Sequence, residues 1–216
     1  MFFLLAASYF FYALAGLKMI PALFGLSLVT YWAGRTNRTN IGILSNLAAL
    51  ILFKYWNFGI ENINLLISSL HLGSTLGLLK LGLPLGLSFF TFKHIGYLLD
   101  LQQKRYSSST DFWAFATYSA YFPQVSAGPI SNFKETSSQF DKLPDRLTND
   151  QFLSCLIYIS LGLAKKILIA DTIGELLASS VNQVGGFSGL IPAWYLVIAY
   201  AAQLYFDFSG YTDLTL

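Results

Sequence analysis

Apolar residues occur in long blocks along this chain, and short polar connections separate the blocks. They do not alternate with polar residues as they would in half-buried strands. Such blocks are typical of helices that cross a lipid bilayer, where about 20 apolar residues are needed for one crossing. We therefore predict membrane spans at 2–17, 41–58, 81–101, 151–170 and 189–206. The first span is expected to form a helical hairpin with residues 22–33. Residues 60–79 form a weaker, amphipathic stretch.

The segment 112–130 is also apolar, but Pro123 and the pair Gly128–Pro129 interrupt its second half. Proline removes a backbone donor and clashes with the preceding turn of a helix. One interpretation is a simple structural kink. The other is a re-entrant element that lines a cavity, because broken backbone at membrane depth is tolerated only where protein or water covers it. The residues alone leave both interpretations open.

Composition favours a membrane protein and argues against a nucleic-acid partner. Of the 216 residues, 55% are hydrophobic and 11% are charged, whereas ordinary soluble domains carry about 25% charged residues. The formal net charge of +2 is too small to indicate nucleic-acid binding. We expect an all-α, polytopic integral membrane protein with re-entrant segments, in contact with membrane lipid.

The distribution of basic residues predicts an orientation, because cytoplasmic loops of membrane proteins carry an excess of Lys and Arg. On this rule the basic residues near Arg35 and at Lys104 lie in the cytoplasm. The connection 171–188 has two acids and no basic residue, as expected of an outer loop. This orientation places Asp207 and Asp213 near the cytoplasmic end of the last span.

Two pairs of polar residues fall inside apolar blocks: Lys93 with His94, and Lys165 with Lys166. A charged side chain deep in a bilayer costs about 2.5 kcal/mol or more on insertion scales, so each pair needs a local explanation. For Lys93 and His94, a polar cavity and an interhelical hydrogen bond both fit, and a neutral His on a spanning helix is usually a packing residue. For the lysine pair we expect a helix that is short, tilted or lying in the interface.

The stretch QLYFDFSGYTDL at 203–214 puts two acids among aromatic residues at the end of an apolar block. These acids can line a polar cavity. Alternatively, Asp207 or Ser209 can cap a following helix. The two histidines, His71 and His94, are far apart and outside any H-E-x-x-H pattern, so we expect no metal site.

Three stretches carry motifs: LPLGLSFFTFKHIGYLLDL at 83–101, YFPQVSAGPISNF at 121–133 and YAAQLYFDFSGYTDL at 200–214. In order and rough spacing they resemble LPxGxSFYTF, FPQxxAGPI and QIYFDFSGYSD of the membrane-bound O-acyltransferase family, in its bacterial alginate O-acetyltransferase branch. The matching residues are Pro84, Gly86, Ser88, Phe89, Pro123, Gln124, Gly128, Pro129, Gln203, Tyr205, Asp207, Ser209, Gly210, Tyr211 and Asp213. We expect them to support or line a substrate tunnel, together with Lys93 and His94.

The resemblance implies a multi-helix enzyme that moves an acyl group, usually acetyl, to a sugar hydroxyl of an exported polymer. It implies acetyl-CoA or an acyl carrier as donor, with no bound cofactor, and a polysaccharide or a periplasmic acetyl-accepting protein as partner. The location expected is the bacterial cytoplasmic (inner) membrane. A histidine acts as general base in such an enzyme, since it can take the hydroxyl proton near neutral pH.

The family's key histidines lie in W-H motifs after the F-D-F-S-G-Y block, and this chain has neither motif. We therefore expect these histidines beyond Leu216, with residues 1–216 as the N-terminal part of a single membrane domain that is inactive by itself. Three alternatives remain: a related enzyme that transfers D-alanine to teichoic acid, a transporter or channel subunit, and a catalytically inactive membrane fragment.

Overall fold

Helices and their connections make up all of the chain that the computed structural model describes, namely residues 1–70, 73, 76–78, 82–105, 107–108, 111–141, 148–182 and 190–215. No strand occurs in those ranges, so the all-α prediction is confirmed. The helices are α1 (Phe2–Ala15), α2 (Ile20–Arg35), α3 (Thr39–Ser69), α4 (Leu87–Gln102), α5 (Phe112–Ala120), α6 (Phe122–Val125), α7 (Phe133–Asp141), α8 (Asn149–Leu163), α9 (Thr172–Asn182) and α10 (Leu190–Thr215). A 3₁₀ turn (Leu17–Met19) precedes α2, and a π-helical segment (Ala164–Asp171) joins α8 to α9.

The chain forms two compact units. Unit 1 comprises Met1–Ser126 and Ile130–Leu143, and unit 2 comprises Ala127–Pro129 and Pro144–Leu216. Three helical stretches are long and apolar enough to cross a membrane among the described residues: Leu17–Arg35, Thr39–Ser69 and Asn149–Ser180. The prediction that residues 1–216 belong to a single membrane domain stays a prediction.

The long helix α3 corrects the predicted division into a span at 41–58 and a separate stretch at 60–79. It runs without interruption from Thr39 to Ser69, because no proline breaks it and its later polar residues are compatible with a helix. Its 31 residues give a length of about 46 Å, which exceeds the ~30 Å hydrocarbon core.

Helix α4 begins six residues later than the predicted span, at Leu87. Gly86 has a left-handed backbone with φ of 65°, a conformation that favours glycine. A Cβ atom on Gly86 would also overlap the carbonyl oxygen of Val125. The start of α4 therefore depends on this glycine for both backbone conformation and close packing. Residue 81 of the predicted span, and residues 79 and 80 before it, lie outside the described part of the chain.

The segment 112–130 is a broken helix, as its prolines predict. α5 has nine residues, about 14 Å, so it is too short to cross a bilayer. The side chain of Asp111 caps α5 by accepting a 2.8 Å hydrogen bond from Trp113 N. Pro123 lies in the first turn of the four-residue α6, where a missing N–H costs nothing. The interruption is therefore the end of α5 and the start of α6, and not a kink within one helix. Re-entry of this segment into the bilayer stays a prediction.

Unit 2 corrects two further boundaries. The predicted outer connection at 171–188 is helical up to Asn182, because α9 continues directly from the π-helical segment. Residues 183–188 of that connection, and residue 189 of the predicted last span, lie outside the described residues. α10 extends past the predicted end of the last span at 206 and continues to Thr215.

Candidate functional site

His94 is the centre of a buried hydrogen-bond network in unit 1. Its Nδ1 lies 3.0 Å from Oδ1 of Asn46 on α3, and its Nε2 lies 2.7 Å from Oγ of Ser119 on α5. The Ser119 hydroxyl contacts Oγ of Ser27 on α2 at 2.7 Å. The Asn46 amide nitrogen donates to Oγ1 of Thr30, also on α2, at 2.8 Å. The network thus joins four helices through side chains that are fully buried.

The pattern of donors assigns one ring proton of His94. The Asn46 amide nitrogen donates both to Thr30 Oγ1 and to the carbonyl oxygen of Gly42, each at 2.8 Å. The amide oxygen is therefore the atom that faces His94, so Nδ1 must carry a proton and donate it. In the neutral ring, Nε2 then accepts from the Ser119 hydroxyl. Both ring nitrogens thus have protein partners, the arrangement expected of a packing residue.

The partners of His94 were not found from the sequence. Ser27, Thr30, Asn46 and Ser119 are single polar residues in apolar blocks, and no motif or spacing links them. Polar residues in lipid-spanning helices often bond across helices, so their presence was a usable signal. Which of them meet depends on helix packing. His71 lies outside the described residues.

Lys93 is also buried, with an exposed fraction of 1%. Its Nζ donates a 2.7 Å hydrogen bond to the carbonyl oxygen of Tyr118 and lies 4.2 Å from the centre of the Tyr118 ring. A cation over an aromatic ring is attracted by the ring's quadrupole. Lys93 also lines a cavity of about 120 Å³. For Lys93 the structure therefore contains both features expected from the sequence, an interhelical bond and a polar cavity.

Gln124 and its neighbours stabilise the turn after α6. Gln124 is buried, and its Oε1 accepts a 3.0 Å hydrogen bond from the hydroxyl of Ser131. The Tyr118 hydroxyl donates to the carbonyl oxygen of Ser131 at 2.8 Å. These bonds join α5 and α6 to the stretch before α7 within unit 1, and the predicted tunnel or scaffold role of Gln124 stays a prediction. Pro129 lies in the non-helical stretch beyond α6.

In unit 2 the two acids of the last motif form ion pairs with the lysine pair. Lys165 Nζ lies 2.6 Å from Oδ2 of Asp213 and donates to Oγ of Ser209 at 3.0 Å. Lys166 Nζ lies 2.8 Å from Oδ1 of Asp207 and 2.8 Å from Oδ1 of Asp171. Ion pairing therefore gives both lysines partners, and the expectation of a helix that is short, tilted or lying in the interface stays a prediction.

These contacts also exclude the helix-cap interpretation of Asp207 and Ser209. Both residues lie inside α10, which continues to Thr215, whereas a capping residue precedes the first helical turn. The π-helical segment that carries both lysines has a wider turn than an α-helix, and such segments are frequent at functional sites. Here both of its lysines point their ammonium groups at α10.

A close helix crossing brings these charged groups together. A Cβ on Gly210 would lie 2.8 Å from the carbonyl oxygen of Gly162, and a Cβ on Gly162 would lie 2.7 Å from that of Gly210. The two backbones therefore touch, as small residues permit in membrane helices. Gln203 packs against Gly174, and the ring of Tyr211 packs against Gly128. Tyr205 is 66% exposed and takes no part in the ion pairs.

Comparison with known proteins places these motifs in a family. The sequence pattern of MBOAT, the membrane-bound O-acyltransferase family, matches residues 107–216, which is half of the chain. The chain belongs to this family. Since it also has three helices long and apolar enough to span a bilayer among its described residues, it is an integral membrane protein.

Three relatives show the range of the family that this chain resembles. It is 34% identical to "Probable alginate O-acetylase AlgI" of Pseudomonas aeruginosa, over 99% of this chain and 42% of that protein. It is 31% identical to the peptidoglycan O-acetyltransferase of Helicobacter pylori, over 99% of this chain and 46% of that protein. It is 30% identical to the teichoic acid D-alanyltransferase of Lacticaseibacillus rhamnosus, over 66% of this chain and 35% of that protein. The chain thus spans less than half the length of these relatives.

Proposed function

We propose that this chain is part of a membrane O-acyltransferase that moves an acetyl group to a hydroxyl of an exported polysaccharide. The observation that carries the proposal is the similarity to alginate O-acetylases along 99% of the chain, which includes all three motifs. The similarity to the teichoic acid D-alanyltransferase covers 66% of the chain. Acetyl transfer is therefore the better supported of the two reactions, and membership of an acyltransferase family favours transfer over permeation.

The reaction consists of attack by a sugar hydroxyl oxygen on the acyl carbon of the donor. A base accepts the hydroxyl proton, the new ester bond forms, and the donor's thiol leaves with a proton. We propose acetyl-CoA or an acyl carrier as the donor, and a polysaccharide or a periplasmic acetyl-accepting protein as the acceptor. The membrane is the bacterial cytoplasmic membrane, where a cytoplasmic donor and an exported polymer lie on opposite sides.

Within this reaction we assign the described residues a supporting role. The His94 network fixes α2, α3, α4 and α5 to one another, and the ion pairs of Lys165 and Lys166 fix α10 to the π-helical segment. An enclosed site built on fixed helices limits loss of the acyl group to water. Because both His94 nitrogens are occupied, we expect the general base to be a different residue.

The test uses membranes from cells that express the longest reading frame containing these 216 residues. Radiolabelled acetyl-CoA and deacetylated alginate are added, and base-labile acetyl ester on the polymer is measured. We expect ester formation from the full reading frame and none from residues 1–216 alone. Parallel reactions supply D-alanine on its carrier protein with teichoic acid. D-alanyl ester without acetyl ester would replace acetyl transfer by the second reaction, and no ester in either assay would reject acyl transfer.

A further inference from the structure

A cavity of about 120 Å³ lies along one face of α4 in unit 1. Its floor is formed by Lys93, Gly96, Tyr97 and Asp100. Residues at this spacing share one side of a helix. The cavity is therefore built by a single stripe of α4, with the buried lysine at one end and the acid two turns further along.

The opposite wall combines polar and apolar groups. It is formed by Tyr118 from α5 and by Ile130, Ser131 and Asn132 from the extended segment before α7. Ser131 and Asn132 contribute polar surface, although the Ser131 hydroxyl donates to Gln124 and the Asn132 amide to Glu135, whereas Ile130 and the aromatic rings contribute apolar surface. A ligand with a polar end and a small apolar end matches such a wall.

The charge of the cavity is set by Lys93, because the second charged group is already compensated. Oδ1 of Asp100 lies 3.0 Å from Nη1 of Arg105, which forms an ion pair with it. The Lys93 ammonium has three N–H donors, and in the described part of the chain one hydrogen bond is formed, to Tyr118. A buried charge whose donors are not all bonded is costly unless a further partner is present. One negative charge would balance the site.

We propose that this cavity is a binding site for a small monocarboxylate of the size of acetate. Its volume of about 120 Å³ equals that of about four water molecules at ~30 Å³ each, which is room for a two-carbon acid. The carboxylate accepts from Lys93, and its methyl end lies against the apolar wall. The site goes beyond acyl transfer and does not depend on it.

Gly96 provides a way to fill the cavity without disturbing the network around His94. A Cβ built on Gly96 meets no other atom within 4 Å, although the residue lines the cavity. Replacing a helical glycine also favours the helix. Gly96→Leu therefore tests occupancy of the space while keeping α4 intact. Gly59→Leu is the matched control, because Gly59 lies inside α3 with the same open surroundings and does not line the cavity.

The experiment measures saturation transfer from the purified protein in detergent to the methyl group of added acetate by NMR. We expect a saturable signal from the unaltered protein and from Gly59→Leu. We expect affinity to fall by about tenfold or more in Gly96→Leu, because the new side chain fills the cavity, and in Lys93→Met, because the charged donor is lost. Circular dichroism and gel filtration check that each variant is folded.

Three results would overturn the site. Absence of a saturable acetate signal in the unaltered protein would mean that the cavity holds water only. Equal competition by chloride and by propionate would show an unspecific anion site. An unchanged signal in folded Gly96→Leu would place acetate elsewhere, even if Lys93→Met fails to fold. Acetate binding by a protein that shows no acyl transfer would support the acetate site and reject the proposed function. The acetate site and the proposed function can therefore be rejected independently.

Discussion

Lys165 Nζ lies 2.6 Å from Oδ2 of Asp213, so two opposite charges from apolar blocks of the sequence meet between the π-helical segment and α10. The side chains are 32% and 16% exposed. Each charged group compensates the charge of the other, because either charge alone would be costly in free energy at a site shielded from water. Ser209 adds a hydrogen bond to the same ammonium group.

Breaking this ion pair should destabilise unit 2. We expect Asp213→Asn and Lys165→Met each to lower the free energy of unfolding by about 1–3 kcal/mol, less than the ~3–5 kcal/mol of a fully buried pair, because Lys165 remains partly exposed. The double variant should lose less than the sum. Unfolding in detergent with increasing denaturant measures all three. Additive losses would show that the two charges do not interact.

The second lysine supplies the matched control. Lys166, Asp207 and Asp171 are 44–48% exposed, and exposed pairs contribute about 0–1 kcal/mol. Lys166→Met should therefore change stability less than Lys165→Met does. A larger loss from Lys166→Met would assign the main stabilising role to Asp207 instead of Asp213.

The crossing of Gly162 and Gly210 should tolerate no side chain. In Gly210→Ala the added methyl would lie 2.8 Å from the carbonyl oxygen of Gly162 and 3.1 Å from the backbone nitrogen of Lys166. Backbone cannot move aside as a side chain can, so we expect a loss of about 1–3 kcal/mol from overpacking. Thermal unfolding of the purified protein measures the loss.

Gly174→Ala is the control for this crossing. Its methyl would meet the Gln203 amide group at 2.7 Å, and that group is the movable end of a flexible side chain. We expect nearly unchanged stability, since the gain in helix propensity offsets a small shift of Gln203. Equal losses in both variants would mean that the close backbone approach is not what makes Gly210 necessary.

His94 should matter for stability and not for chemistry. His94→Ala leaves Asn46 and Ser119 buried without their partner and opens a cavity, so we expect a loss of about 2–4 kcal/mol. Asn46→Ala should lose a similar amount, and the double variant less than the sum. Phe92→Ala, at a 49% exposed position of the same helix, should have little effect. Loss of acyl transfer in a His94 variant of unchanged stability would contradict the scaffold role.

The orientation predicted by the positive-inside rule can be checked by cysteine labelling. In a Cys155→Ser background, the single substitutions Thr36→Cys and Ser107→Cys should each react with an impermeant maleimide only after the cytoplasmic side of the membrane is made accessible. The substitution Ser180→Cys should react when the maleimide is added to the outer side of the membrane. The reason is that the basic residues near Thr36 and Ser107 favour the cytoplasm, whereas the connection after α9 lacks them. The reverse labelling pattern would invert the topology.

Helix boundaries were predictable where a residue forces them. Pro123 marked the break in 112–130, and the apolar blocks marked α2 and α8. The uninterrupted α3 and the continuation of α9 were missed, since an amphipathic stretch such as 59–69 is compatible with both a connection and a helix that extends beyond the bilayer. Local composition does not distinguish these two outcomes.

The sequence by itself determined the class of protein, the family motifs and the presence of charges that need partners. Apolar blocks, prolines and motifs each involve residues that are close in sequence, so they can be recognised from the sequence alone. Only the tertiary structure decided the partners: Asp213 for Lys165, Asn46 and Ser119 for His94, and the carbonyl of Tyr118 for Lys93. These pairs lie 25–48 positions apart, and helix packing brings them within hydrogen-bond distance. Contacts of that range depend on how whole helices cross, which no local pattern of residues encodes.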